Sequence, residues 1–196
     1  MDADGRNEYE GERGSMQKRH LKYAILGLLY NENLTGYDLY LKFGGPLSEF
    51  WSAKHSQIYP ELKKLAEEGV VSYDIEIAGT SLEKKVYSIT EAGREDFLNW
   101  LSTIEPMQAT PKDVFRLRLF FAAYLEPEAR LAMLSEHLEE HRLRLAHLRR
   151  KNEDVFAVIP EKDSALFFDY LVWLNAVMRE ETTCRWLETC IALCAE

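Results

Sequence analysis

The apolar period of this chain changes at Gly69, and that change limits what it can fold into. Before Gly69, residues 52–69 (SAKHSQIYPELKKLAEEG) place Ile58, Leu62 and Leu65 at i, i+4 and i+7, one side of a helix. Ser56, Lys63 and Glu67 fall opposite, with Gln57, Tyr59 and Lys64 on the flanks. Ser52 is read as the N-cap and Gly69 as the C′ residue. Pro60 lacks a backbone donor, so the helix either bends there or starts later, near Ser56. After Gly69, VVSYDIEIAG alternates, with Val71, Tyr73, Ile75 and Ile77 on one side and Ser72, Asp74 and Glu76 on the other. A turn-like GTSLEKK and a second short strand, VYSIT, complete a hairpin.

Two helices precede this stretch. Residues 21–30, LKYAILGLLY, are apolar at nearly every position and predict a helix buried all round. Residues 31–34 predict a turn. Thr35 then caps TGYDLYLKF, in which Leu39 and Phe43 share a face, and Gly44, Gly45 and Pro46 end it. Three helices followed by a hairpin are the order of a winged helix-turn-helix. Thr90 opens a further helix, TEAGREDFLNWLS, with Phe97, Trp100 and Leu101 on one face.

PMQATP, residues 106–111, is a linker by composition. Beyond it KDVFRLRLFFAAYL is apolar on most sides and is expected to be central. Pro127 suits the first turn of the next helix. There Leu131, Leu134, Leu138, His141, Leu145 and Leu148 form a heptad seam, the mark of long helix-on-helix packing and of a dimer. His141 on that seam is read as partly exposed or hydrogen-bonded rather than as a ligand. Asp163 is expected to cap the last helix, which is rich in aromatics. The fold class is therefore mainly α, a winged helix-turn-helix with a two-stranded wing followed by an α-helical dimerisation domain. Its parts are a disordered tail (1–17), a DNA-binding domain (18–104) and the helical domain (111–196).

The composition narrows the function. The 196 residues are 46% apolar, enough for a real core, and the net charge is −9, unlike that of a general nucleic-acid binder. A local basic surface stays compatible with that charge, because attraction at a duplex is screened over ~8–10 Å. No apolar run approaches the ~20 residues of a membrane span, and the polar N-terminus is not a secretory signal, so a cytoplasmic protein is expected. Cys184, Cys190 and Cys194 lack metal-pair spacing; Cys190 and Cys194, one helical turn apart, leave a metal or redox role open, but all three read first as small packing residues. No P-loop, GxSxG, HExxH or dinucleotide glycine pattern is present, so no enzyme chemistry, cofactor or metal is expected.

LKYAILGLLYNENLTGYDLYLKF, HSQIYPELKKLAEEGVVS and KKVYSITEAGREDFLNWL together resemble the PadR family of bacterial transcription regulators over residues 21–102. The helical half resembles the family's longer branch. The resemblance implies a homodimeric repressor on a palindromic double-stranded operator, released in some members by a phenolic or other aromatic small molecule. The residues themselves support DNA contact. Lys54, His55, Ser56 and Gln57 at a helix N-terminus can bond base edges and phosphates. Lys63 and Lys64 can reach the backbone, and Lys84 and Lys85 at the wing an adjacent groove. Tyr37 and Tyr59 have phenols suited to phosphate, or they are half-buried packing groups. Phe120, Phe121, Phe168, Tyr170 and Trp173 are either the lining of an aromatic effector cavity or plain core. The acidic balance of the winged-helix part leaves a second reading open, a protein-interaction winged helix that does not bind DNA.

Overall fold

The structure is a computed structural model that describes residues 19–78, 82–107, 110–152 and 155–195. The tail expected to be disordered and residues 79–81 of the wing turn lie outside the described residues. The chain divides into two compact units between Met107 and Gln108.

In the first unit the order is α1 (His20–Leu28), β1 (Leu34–Thr35), α2 (Gly36–Phe43), a 3-10 turn (Pro46–Glu49), α3 (His55–Glu67), β2 (Val71–Ala78), β3 (Leu82–Ile89) and α4 (Glu91–Leu101). Each helix donates one stripe to a common core. Ile25, Leu26 and Leu29 meet Leu39 and Phe43, Ile58, Leu62 and Leu65, and Val70, Val71 and Tyr87 from the sheet end. Burying each large aliphatic side chain contributes ~1.5–3 kcal/mol.

The first helix is not buried on apolar groups alone. Lys22 is also buried, its ammonium 2.6 Å from Asp96 and 3.4 Å from Glu68. Arg19 joins Glu68 at 2.5 Å, so one ionic cluster ties α1 to α4 and to the end of α3. Burial raises the Glu68 carboxyl, but the Arg19 bond and the charges of Arg19 and Lys22 outweigh it and hold it below its usual range.

The starts and stops of α2 and α3 follow from backbone chemistry. Thr35 Oγ1 accepts from the Asp38 N–H at 3.1 Å, while the Asp38 carboxylate accepts from the Thr35 N–H at 3.0 Å and hydroxyl at 2.6 Å, a reciprocal capping box. These bonds hold the Asp38 carboxyl below its ordinary value. Ser52 is not the cap of α3. The helix begins at His55, and the Gln57 side-chain oxygen accepts from the Lys54 N–H at 2.9 Å. Ser52 is left in the irregular segment, residues 51–54, that leads into α3. Pro60 lies inside α3, where it withholds one donor without ending the helix. Gly69, at φ +74°, closes α3 with Val70 N–H on Leu65 O and Gly69 N–H on Ala66 O, each at 3.1 Å, a Schellman end.

The sheet has three strands in the order β1-β3-β2, all antiparallel, where the sequence predicted a two-stranded wing. Leu34, expected in a turn, pairs with Tyr87, and Thr35 with Val86. A two-residue strand carries no alternation by which to find it. Along β2 the alternating apolar side leaves the core: Val71 is 2% exposed, Tyr73 42%, Ile75 57% and Ile77 73%, so the hairpin projects as a wing. In α4, Phe97 and Trp100 pack inward, Trp100 stacked on Tyr23 at 4.5 Å, but Leu101, on the same side at the last residue of the helix, is exposed.

The second unit comprises α5 (Val114–Phe120), a 3-10 turn (Ala122–Tyr124), α6 (Pro127–Asn152) and α7 (Ala165–Ala195). Helices α6 and α7 pack on each other, with Leu134, Leu138, Cys184 and Leu187 buried between them. Arg142–Glu188 at 2.8 Å and Arg149–Glu181 at 2.6 Å cross the rim. Helix α5 is not central in the chain. Phe115 and Leu119 pack inward on both long helices, while Val114, Leu117 and Phe120 are exposed, because a helix apolar all round buries only the face it turns to its neighbours. Asp163 does not cap α7. It takes φ +67°, and Ser164 Oγ accepts from the Phe167 N–H at 3.1 Å.

Two glycines separate backbone strain from crowding. An added Cβ at Gly69 meets nothing within 4 Å, so Gly69→Ala should cost only the left-handed penalty of roughly 1 kcal/mol. At Gly93 a Cβ would lie 2.1 Å from the Val70 carbonyl oxygen, so Gly93→Ala should cost more and lower the thermal midpoint further. Thermal unfolding of both variants measures the difference. The depressed Asp38 carboxyl contributes stability above the ordinary carboxylate pKa of about 4, lost as pH falls through the lower folded value. Acid unfolding of Asp38→Asn beside the parent chain should show a stability gap at neutral pH that closes at low pH.

Candidate nucleic-acid interface

Burying Ile58, Leu62 and Leu65 leaves the opposite face of α3 in solvent, and Ser56, Gln57, Lys63 and Lys64 are exposed there. Lys54 and His55 are exposed at its N-terminus. This end of α3 offers the positive pole of the helix and several donors. The oxygen of Gln57 accepts from the Lys54 N–H, which turns it back toward the helix start and leaves the amide nitrogen as the group best placed to donate outward.

A concave surface of about 1060 Å³ runs from the start of α2 past α3 to the wing. It gathers Tyr37, Tyr59, Lys63, Lys84 and Lys85. Gly36 makes room for Tyr59, since a Cβ there would stand 2.7 Å from the phenol ring. Tyr59 also packs on His55 at 4.4 Å, and His55 on Tyr40 at 5.7 Å, so an aromatic ledge lines the start of α3. On the wing, Lys85 lies over the Tyr73 ring at 4.0 Å. Lys84 stands 3.0 Å from Glu76, its cross-strand neighbour. Tyr40, Tyr73 and Gly36 were not singled out from the sequence, because their contributions depend on contacts between elements.

The groove is not strongly basic. Asp38, Glu67 and Glu83 line it beside Lys63, Lys84 and Lys85. Lys63 and Glu67 are 3.9 Å apart and mostly solvated, a pair worth little and easily exchanged for a phosphate. Phenol hydroxyls and ammonium groups spaced along a concave surface, beside a solvent-facing helix, suit a phosphate backbone with base edges between.

Known proteins resolve the identity. Residues 25–99 match the profile of the Transcriptional regulator PadR-like family, and residues 111–195 that of the Virulence activator alpha C-term family. Over 177 residues the chain is 40% identical to the Negative transcriptional regulator PadR of Bacillus subtilis, covering 89% of this chain and 97% of that protein. The chain belongs to the PadR-like family of transcriptional regulators. The crystal structure of Bacillus subtilis PadR in complex with operator DNA aligns with a TM-score of 0.84 at 40% identity, covering 89% of this chain and 98% of that one. The crystal structure of the same protein in complex with p-coumaric acid aligns with a TM-score of 0.81 at 38% identity, covering 90% and 99%.

The aromatic residues singled out in this PadR-like chain fall in three groups. Phe120 and Phe121 meet edge to face at 5.1 Å and are exposed. Phe168, also exposed, meets Phe167 at 5.7 Å. Tyr170 and Trp173 lie 5.7 Å apart and share Phe156, and the Trp173 indole donates to the Leu148 carbonyl at 3.0 Å. A separate cavity of about 820 Å³ in the helical unit is lined by none of the five, but by Phe115, Trp186, His137, His141 and several arginines among others. Of these, only His141 stood out in the sequence. No helix among the described residues is long and apolar enough to cross a membrane.

The pairing pattern grades the lysines. Lys63→Ala and Lys85→Ala should each lower the slope of log affinity against log salt by roughly one, equally on all DNA sequences. Lys84→Ala should lower it less, because Glu76 already neutralises that ammonium in the free protein. Fluorescence-anisotropy titrations across a salt series read all three slopes.

Proposed function

We propose that this chain is a homodimeric, cytoplasmic repressor that binds a palindromic operator and leaves it on binding an aromatic small molecule. The observation that carries the reading is the groove holding Tyr37, Tyr59, Lys63, Lys84 and Lys85 beside the solvent face of α3. It occurs in a chain 40% identical to a negative regulator whose structure holds operator DNA. Residues 18–104 act as the DNA-binding domain and residues 111–196 as the dimerisation domain. Helix α3 enters the major groove, with Lys54, His55 and Ser56 meeting phosphate and base edges. Tyr37, Tyr59, Lys63 and Lys64 hold the backbone, and Lys84 and Lys85 hold it from the wing. Gln57 contributes one donor to a base edge, so its share of discrimination falls near ~1 kcal/mol, the low end for such contacts.

Dimerisation is supported by the apolar surface that the helical unit leaves bare, including Val114, Leu117, Phe120, Leu166, Leu171 and Val172. A dimer presents its two α3 helices to successive major grooves about 34 Å apart. The effector class follows from the relative's complex with p-coumaric acid and from the aromatic content of the helical unit. Phe120, Phe121, Phe168, Tyr170 and Trp173 supply rings on which a planar acid can stack. Such a ligand shifts the population only by its preference for the released dimer; a 100-fold preference is worth about 2.7 kcal/mol per site.

The net charge of −9 and the three carboxylates in the groove favour the second reading, a winged helix that binds protein. Gel retardation with the promoter upstream of its own gene separates the two. The expected result is a saturable shift that survives competitor DNA, is lost in Tyr37→Ala and Tyr59→Ala, and is reversed by p-coumaric acid. Light scattering at micromolar concentration should give the mass of two chains. No shift at low salt would favour the protein-binding module.

A further inference from the structure

The helical unit contains a polar cluster that DNA binding does not use. It centres on two histidines one turn apart on α6. His141 Nδ1 meets a carboxylate oxygen of Glu180, a residue of α7 that is 4% exposed. The other Glu180 oxygen takes Arg144 Nε at 3.3 Å. The His137 ring lies flat on Phe115, centroids 3.6 Å apart, and its Nδ1 is 3.5 Å from Glu140. The two Nε2 atoms face each other at 3.3 Å, on the lining of the 820 Å³ cavity.

An imidazole that donates from Nδ1 to a carboxylate carries its lone pair on Nε2. At this separation the two rings either form one hydrogen bond, with His137 Nε2–H donating to His141 Nε2, or, with both Nε2 atoms unprotonated, present lone pairs that repel unless they share something electropositive. A tetrahedral metal with bonds of 2.0–2.1 Å sets its ligand nitrogens about 3.3 Å apart. Metal-bound histidines commonly donate their other ring N–H to a carboxylate, and two histidines at i, i+4 on a helix are a recurrent ligand pair.

We propose that His137 and His141 bind one late first-row divalent cation, Zn²⁺, Ni²⁺ or Cu²⁺, through their Nε2 atoms. Imidazole donors select these ions over Mg²⁺ and Ca²⁺, which take oxygen ligands. No third His, Cys, Asp or Glu completes a ligand set among the described residues. The remaining positions therefore face the cavity and are filled by water or by a small oxyanion. The charges around the site fit that arrangement. Arg116 is paired with Asp113 at 2.7 Å and Arg144 with Glu180, while Arg179 also lines the cavity. Arg179 opposes a bare cation but favours an anionic ligand on it. Through Glu180 the ion would also tie a turn of α6 to α7.

The test uses the full chain without an affinity tag, stripped with EDTA. Calorimetry with Zn²⁺, Ni²⁺ and Cu²⁺ at neutral pH should show one ion per chain, and each should raise the thermal midpoint, while Mg²⁺ should do neither. His137→Asn and His141→Asn should each weaken binding at least tenfold, with folding checked by circular dichroism. His147→Asn, at an exposed position on the same helix, should leave it unchanged. The Cu²⁺ electron paramagnetic resonance spectrum should carry nitrogen couplings from two imidazoles in the parent chain and from one in each single variant. Absence of saturable binding overturns the proposal. So does binding that survives both histidine substitutions, or that disappears instead on replacing Cys184, Cys190 and Cys194. Nitrogen NMR showing a proton shared between the two Nε2 atoms, unmoved by any of the three ions, overturns it as well.

Discussion

The first unit depends on the burial of one stripe of α3. Ile58, Leu62 and Leu65 are each at 0% exposure, and with them in place only one rotation of the helix is possible. That rotation turns Ser56, Gln57, Lys63 and Lys64 outward. The face proposed to meet DNA is thus set by what its back buries, and the energy that orients it is hydrophobic rather than electrostatic. Around that stripe, polar contacts fix what apolar packing leaves free. The Gly69 Schellman end sets where α3 stops and β2 begins. The Thr35–Asp38 box sets the start of α2, placing Tyr37 at the rim of the groove. The Lys22–Asp96–Glu68 cluster draws the acidic C-terminal end of α3 back to α1 and α4. Those carboxylates are then spent within the fold, which eases the problem an acidic protein has in approaching phosphate.

The helical unit is organised differently. Its two long helices bury a narrow seam and leave much apolar surface bare on α5 and the first half of α7. In a single chain this is an unfinished core, and the proposed homodimer completes it. Among its described residues this unit holds one deeply buried acid, Glu180, between His141 and Arg144. Removing either partner of such a buried carboxylate is expensive, so the cluster fixes the register of α6 on α7 whatever else it binds.

Much of this was legible in the sequence because it rests on local rules. The 3.6-residue period of residues 52–69, the alternation after Gly69, the Thr35 and Thr90 caps and the heptad seam each need only near neighbours, so the winged helix and the helical half could be read directly. The PadR-like segments were legible for the same reason. Two of the failures, at β1 and at α5, share one cause, while the caps misassigned to Ser52 and Asp163 were local errors of one to three residues in where a helix starts. Leu34–Thr35 becomes a strand only because β3 lies beside it. Helix α5 looked central because its composition is apolar, but burial depends on how many neighbours reach it.

The site divides along the same line. Which lysines and tyrosines could meet DNA was set by residue type and period. Their gathering into one groove, the seat of Tyr59 on Gly36, the occupation of Gln57 by the Lys54 N–H and the pairing of Lys84 with Glu76 were decided by tertiary structure. The same holds for the histidines. Sequence alone put His137 and His141 one turn apart; only the packing of α7 on α6 brought Glu180 to the far nitrogen of His141. A sequence specifies what each short stretch prefers, whereas a distance between side chains far apart in the chain is set only when all the buried stripes are satisfied at once.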